Sequence, residues 1–171
     1  AVDTSKISNA KRIIRDTQTN KIKIGYKFGL EFFYSKEGRK FISNLKNQII
    51  FLDLKLNDIP NTIVSAMKSL KNLKISYLTV HLSSGISALK ALKKESKNIK
   101  IAGVTTLTSL NNKDLKEIGY NKKVNELVKH QVKLAKKAKL DAIVCSGHEI
   151  RSVKRVFKKA VSYTHLRAHE T

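Results

Sequence analysis

The chain has 171 residues, with 35 Lys and Arg against 13 Asp and Glu, so its formal net charge at pH 7 is +22. This length provides one domain with a real core and is short for two. The hydrophobic content of 41% argues against disorder over most of the chain, and no apolar run approaches the ~20 residues of a membrane-spanning helix. We recognise no signal peptide, and the single cysteine, Cys145, excludes an internal disulfide bond, so we expect a cytoplasmic protein.

The excess positive charge invites a nucleic-acid-binding interpretation. Most of it is lysine, however, and the lysines are spread along every predicted helix instead of forming one stripe. Arginine, the residue typical of specific phosphate and base contacts, is scarce. We therefore favour a solvated, compositionally biased surface and expect neither a nucleic-acid nor a membrane partner. A non-catalytic basic protein that binds nucleic acid is the alternative from a different class.

Short apolar strands alternate with amphipathic helices along the chain. The first strand ends at residues 1–3, and the helix that follows it, residues 8–17, is expected to be capped by Ser8. The next two pairs are strand 21–28 with helix 37–46, and strand 49–55 with a helix whose apolar face is Ile63, Ala66, Met67 and Leu70. The last three pairs are strand 77–81 with helix 84–95, strand 98–105 with a helix spanning 124–135, and strand 141–145 with helix 149–158.

Strict alternation of strands and helices predicts a parallel sheet covered by helices on its faces. Two architectures fit this pattern, a doubly wound open sheet and a (β/α)8 barrel. A barrel needs eight units and typically ~250 residues, whereas only six units are visible here and the first begins in mid-strand. Periodicity alone does not choose between an open sheet and an incomplete barrel.

The last eleven residues, VSYTHLRAHET, differ from the rest of the chain. Lysine stops abruptly, two of the five histidines appear, and no further strand is predicted. We interpret residues 1–160 as one partial domain and residues 161–171 as a non-native or disordered tail.

The segment FLDLKLNDIPNT, residues 51–62, places charged residues in an otherwise apolar strand and turn. Asp53 and Lys55 are two positions apart, so a strand directs both to the same side, and Asp58 follows in the turn beyond the strand. Active sites of parallel α/β folds lie at this edge of the sheet. Neighbouring carboxylates keep a lysine charged, and such a lysine can donate a proton or stabilise developing negative charge. A purely structural ion-pair network is the alternative.

This segment resembles the signature of the orotidine 5'-phosphate decarboxylase family. Its Asp-x-Lys-x-x-Asp core is shared with hexulose phosphate synthase and ketogulonate phosphate decarboxylase, whereas the continuation Ile-Pro-Asn-Thr, residues 59–62, is more specific to the orotidylate branch. Further segments follow in the order of the family and extend the resemblance over residues 1–158: AVDTS, YKFGLEFFY, YLTVHLSSG, GVTTLTS and VCSGHE.

The resemblance implies an incomplete (β/α)8 TIM barrel, a homodimer, and decarboxylation of orotidine 5'-phosphate to uridine 5'-phosphate without a metal or organic cofactor. By this resemblance Lys55 stabilises the carbanion left at carbon 6 of the pyrimidine and then protonates it. Asp53 lies beside the substrate carboxylate and keeps Lys55 charged. Lys27 joins the charged chain and, with Asp3, holds ribose hydroxyls.

Three further roles follow from the same resemblance. Asp58 and Thr62 would reach the partner's site across the dimer interface, and Thr108 would hydrogen-bond the pyrimidine amide. The family's phosphate-binding motifs, Thr-Pro-Gly-Ile-Arg and Gly-Arg-x-Ile, have no counterpart in these 171 residues. We interpret the chain as cut short at its C-terminus and expect it to be inactive, and poorly soluble, by itself. The nearest rival function is a magnesium-dependent sugar-phosphate enzyme of the same superfamily.

Overall fold

One parallel sheet organises the chain, and each of its strands pairs with the next strand in sequence. The computed structural model describes residues 1–158 and the backbone of residues 162–164. The strands are β1 (Gly25–Gly29), β2 (Ile49–Leu56), β3 (Tyr77–His81), β4 (Lys100–Val104), β5 (Ala142–Cys145) and β6 (Ser162–Thr164). Val2 forms an isolated parallel bridge to Phe28 of β1, where the sequence predicts the end of a first strand. A strand order that never reverses is that of a barrel wall, because a doubly wound sheet has a point where the order switches.

Helices follow most of the strands and cover the outside of the sheet. They are α1 (Ile7–Thr17), α2 (Leu30–Tyr34), α3 (Gly38–Asn44), α4 (Pro60–Ser69), α5 (Gly85–Glu95), α6 (Asn112–Glu117), α7 (Val124–Lys137) and α8 (Ile150–Val156). Short 3-10 turns, Leu82–Ser84 and Gly147–Glu149, precede α5 and α8. Among the residues described, none of these helices has the length and apolar character that crossing a membrane requires.

Three local expectations differ from the structure. Ser8 does not cap α1, because the helix already begins at Ile7 and the Thr4 hydroxyl accepts the Lys6 amide hydrogen at 3.1 Å. The helices α2 and α6 are not predicted, since both are too short to display a helical period. A capping box between Asn111 and Asp114 starts α6.

A short strand, β6, follows α8, although no strand is predicted there. Its backbone pairs with β5, and Ser162 lies opposite Ile143. The segment Ser-Tyr-Thr includes residue types that favour strands, and β5 offers it a parallel edge. The rest of the proposed tail, residue 161 and residues 165–171, lies outside the described residues, so the interpretation of residues 161–171 as non-native stays a prediction.

The hydrophobic core lies between the sheet and its helices. Leu52, Leu78 and Ile101 form a row across β2, β3 and β4, and each of them is fully buried. Their alternation with residues of the other face puts Asp53 and Thr79 on the inner side of the curved sheet. Burying one such Leu or Ile contributes about 1.5–3 kcal/mol, so this row holds the strands that position the inner-face polar groups.

Candidate active site

Asp53, near the carboxyl end of β2, is the centre of a buried charged cluster. Its Oδ2 atom lies 3.1 Å from Lys27 Nζ and 3.0 Å from Lys55 Nζ. Lys27 comes from the neighbouring strand β1, whose Gly29 pairs with Asp53, so the long lysine side chain reaches along the sheet towards the carboxylate. One carboxylate thus contacts two ammonium groups.

The second oxygen of Asp53 contacts a hydroxyl that the sequence analysis did not single out. Thr79 of β3 is fully buried, and its Oγ1 donates a hydrogen bond to Asp53 Oδ1 at 3.1 Å. The same Oγ1 accepts the backbone amide hydrogen of Lys55 at 2.7 Å. The only signal in the sequence is a single hydroxyl residue within the otherwise apolar centre of YLTVH.

The electrostatics of the cluster keep Asp53 ionised. Burial alone would raise the pKa of this carboxyl, but the charges and hydrogen bonds of Lys55 and Lys27 outweigh burial, so its pKa lies below the ordinary value of 3.8. Both lysines therefore face a carboxylate rather than a neutral acid at any physiological pH.

The backbone at Lys55 departs from regular strand geometry. Its φ angle is +47°, a left-handed conformation that costs a residue other than glycine on the order of 1–3 kcal/mol. The β2–β3 ladder is irregular at this point, because Leu52 pairs with Leu78 and Leu56 pairs with Val80, so the register shifts between them. The Lys55 side chain is 35% exposed, against 10% for Lys27. Lys55 is therefore the more accessible amine of the pair.

His81 ends β3 beside this cluster. Burial lowers its pKa below the ordinary 6.5, and the positive charge of Lys55 lowers it further, so the ring is neutral near pH 7. Its Nδ1 lies 3.1 Å from the Ser83 hydroxyl. The adjacent Ser84 hydroxyl donates to Asn57 Oδ1 at 2.9 Å, which ties the loop after β3 to the loop after β2.

The other residues of the sequence hypothesis lie outside the cluster. Asp3, Asp58, Thr62 and Thr108 are all exposed. The Asp58 carboxylate accepts the amide hydrogen of the next residue, Ile59, at 2.7 Å, and no ion pair joins it to Lys55 within residues 1–158. The cluster formed within one chain is thus Lys27–Asp53–Lys55. Over the same residues, no group of three or more His, Cys, Asp and Glu side chains comes together as a ligand set for a metal.

Comparison with known proteins decides the family. The family model described as "Orotidine 5'-phosphate decarboxylase / HUMPS family" matches residues 1–166. The chain belongs to this family. It is 37% identical over 166 residues to orotidine 5'-phosphate decarboxylase of Carboxydothermus hydrogenoformans, covering 91% of this chain and 68% of that protein. It is 44% identical over 141 residues to the Bacillus mycoides protein of the same name, covering 76% of this chain and 59% of that protein.

Solved structures of similar proteins confirm the fold. The Lactobacillus acidophilus orotidine 5'-phosphate decarboxylase superposes with a TM-score of 0.78 at 27% identity, covering 95% of this chain and 77% of that one. An uncharacterised conserved protein of Geobacillus kaustophilus superposes with a TM-score of 0.82 at 30% identity, covering 91% of this chain and 76% of that one. The incomplete (β/α)8 barrel is therefore the correct architecture and the doubly wound sheet is not. The chain spans roughly six tenths to two thirds of the length of the curated relatives, from 59% to 68%.

Proposed function

We propose that this chain supplies the charged part of the active site of an enzyme that decarboxylates orotidine 5'-phosphate to uridine 5'-phosphate, the last step of de novo UMP synthesis. The observation that carries the proposal is Lys55, whose ammonium lies 3.0 Å from the buried Asp53 and is partly open to solvent. The curated relatives named above carry this activity in their names.

The chemistry needs one positioned ammonium and one ionised carboxylate. Asp53 lies beside the substrate carboxylate, and repulsion between the two negative charges disfavours the bound acid relative to the transition state that loses it. The bond from carbon 6 to the carboxyl carbon breaks, carbon dioxide leaves, and the electron pair stays on carbon 6. The ammonium of Lys55 stabilises that pair and transfers its proton to carbon 6. No metal or organic cofactor enters this scheme, since the ammonium supplies the positive charge.

Lys27 and the exposed residues bind the remainder of the substrate in this proposal. Lys27 keeps Asp53 ionised and, with Asp3, holds ribose hydroxyls, while Thr108 hydrogen-bonds the pyrimidine amide. Asp58 and Thr62 act across the interface of a homodimer. Their exposure in one chain, and that of Ile59 between them at 65%, supports a surface that a second copy covers.

The 171 residues alone are expected to be inactive. The two phosphate-binding motifs of the family are absent from them, and binding of a remote phosphate normally contributes to chemistry at the reacting carbon. We propose the cytoplasm as the compartment, since the single cysteine, Cys145, forms no internal disulfide bond, as is usual in a reducing environment.

The test is turnover by the full-length protein that contains this chain. It is supplied with orotidine 5'-phosphate in the presence of a chelator, and uridine 5'-phosphate is measured. The proposal expects product under these conditions and none from the 171-residue chain. Absence of product, together with magnesium-dependent activity on a hexulose or ketogulonate phosphate, would establish the rival function instead.

A further inference from the structure

Thr79 joins two parts of the charged cluster through one oxygen atom. A hydroxyl has one hydrogen to donate and lone pairs to accept with. Here the hydrogen is directed to Asp53 Oδ1 at 3.1 Å, and a lone pair accepts the Lys55 amide hydrogen at 2.7 Å. Both bonds are made at a residue with no solvent exposure, so water does not replace either of them.

The strained backbone at Lys55 explains why such a bridge is needed. The β2–β3 ladder is irregular between Leu52 and Leu56, and Lys55, with its left-handed φ, lies in this stretch outside the regular pairing of the two strands. The Thr79 hydroxyl accepts the Lys55 amide hydrogen in place of a main-chain carbonyl. It therefore fixes the residue whose side chain carries the exposed amine, and at the same time it fixes the carboxylate that this amine contacts.

We propose that Thr79 is a positioning residue that sets the geometry of Asp53 and Lys55 through this bridging hydroxyl. This inference rests on the proposed function for its effect on turnover, but its effect on the cluster itself does not depend on which reaction takes place. Groups held only slightly out of place lose much of their catalytic effect, so a small displacement of Lys55 lowers turnover more than binding.

The experiment uses the full-length protein with Thr79→Val, Thr79→Ser and Ser96→Ala. Valine keeps the shape of threonine and removes both hydrogen bonds, whereas serine keeps the hydroxyl. Ser96 provides the matched control, because it is also buried and its hydroxyl donates to the Lys93 carbonyl at the far end of α5. The Asp53 carboxyl is titrated by carbon-13 NMR, and kcat and KM are measured in parallel.

The expected results separate positioning from simple packing. Thr79→Val raises the pKa of Asp53, because a hydrogen bond to the charged form of Asp53 is lost. The other neighbours remain in place, namely the charges of Lys27 and Lys55 and the neutral His81 beside Lys55. The same variant lowers kcat roughly 10- to 100-fold and changes KM by less than about threefold, the loss expected for a hydrogen bond to a charged group. Thr79→Ser and Ser96→Ala stay close to the wild type.

Two results would overturn the inference. One is an unchanged Asp53 titration in Thr79→Val. The other is a Thr79→Ser variant as impaired as Thr79→Val, since the methyl group and not the hydroxyl would then matter. If the wild-type protein does not decarboxylate orotidine 5'-phosphate, the proposed function fails, and the Asp53 titration still decides whether Thr79 positions the cluster.

Discussion

Two aspartates at opposite edges of the sheet both pair with lysine, but they are satisfied in different ways. Asp141, just before β5, accepts from Lys93 at 2.7 and 2.6 Å through its two oxygens and also accepts the Ile101 amide hydrogen at 2.8 Å. Asp141 thereby joins α5, through Lys93, to β4, through Ile101. The side chains of Lys93 and Asp141 are each about a quarter exposed. Asp53 instead shares one oxygen between two lysines and is only 12% exposed.

The difference separates a structural pair from a candidate site. Asp141 pairs with one lysine, whereas Asp53 contacts two, and the ammonium of Lys55 is partly exposed at 35%. That ammonium lies at the carboxyl edge of the sheet, where barrel enzymes bind their substrates, and the backbone at Lys55 is strained. Asp141 lies at the other edge, where stability is the usual role.

Truncating each aspartate gives the largest expected difference in the free energy of unfolding. Asp53→Ala removes the buried carboxylate that contacts both Lys27 and Lys55 and should destabilise the full-length protein by about 3–5 kcal/mol. Asp141→Ala removes a more exposed pair and one backbone hydrogen bond and should cost about 1–2 kcal/mol. Urea unfolding of both variants measures this, and equal losses would mean that the two ion pairs do not differ as described.

Glycine substitutions at the two lysines should act in opposite directions. Lys55 has a left-handed φ, so Lys55→Gly should be more stable than Lys55→Ala by about 0.5–1 kcal/mol. Lys93 lies in the last turn of α5, so Lys93→Gly should be less stable than Lys93→Ala by about the same amount. The same unfolding assay applies, and a Lys55→Gly variant less stable than Lys55→Ala would show that the backbone there is not strained.

The pH dependence of stability should distinguish Asp53 from other carboxyls. Because its pKa is lowered in the folded state, its contribution is fully present above pH 3.8 and is lost as the pH falls below that value through the folded pKa. An Asp53→Asn variant should therefore lose less stability than the wild type during acid titration. Parallel losses in the two proteins would contradict a lowered pKa.

The smallest expected effect concerns His81. Its pKa is also lowered in the folded state, so the unfolded chain binds the proton more readily once the pH falls below 6.5. Stability contributed by the neutral ring is present above pH 6.5 and declines below it. Replacing His81 with Gln should flatten the decline that begins as the pH falls below 6.5. Chemical denaturation across this pH range measures the free energy of unfolding. An unchanged dependence of that free energy on pH would show that burial does not lower the pKa of His81.

The sequence predicts most of the sheet because the strands are apolar runs that are buried on the helix side. Leu52, Leu78 and Ile101 lie in strands whose positions differ from the expected ones by only a few residues. Periodicity does not choose between an open sheet and a barrel, since curvature and strand order depend on contacts between distant segments. The family resemblance supplied that choice, and the comparisons confirm it.

The site is less predictable than the fold. The spacing of Asp53 and Lys55 correctly indicates that the two side chains approach one another, but the left-handed backbone of Lys55 itself is not encoded in any periodic pattern. Thr79 comes from another strand, and only the register of β2 with β3 brings its hydroxyl to Asp53. Asp58 has the family spacing, yet its carboxylate turns to the start of α4 within one chain.

The most direct test of the central claim compares two lysine truncations in the full-length protein. Lys55→Ala and Lys93→Ala each remove a partly exposed ammonium that contacts an aspartate, and formation of uridine 5'-phosphate from orotidine 5'-phosphate is measured for both. The account predicts that kcat falls by at least about 10³-fold for Lys55→Ala and by less than about threefold for Lys93→Ala. Undiminished product from Lys55→Ala would contradict it.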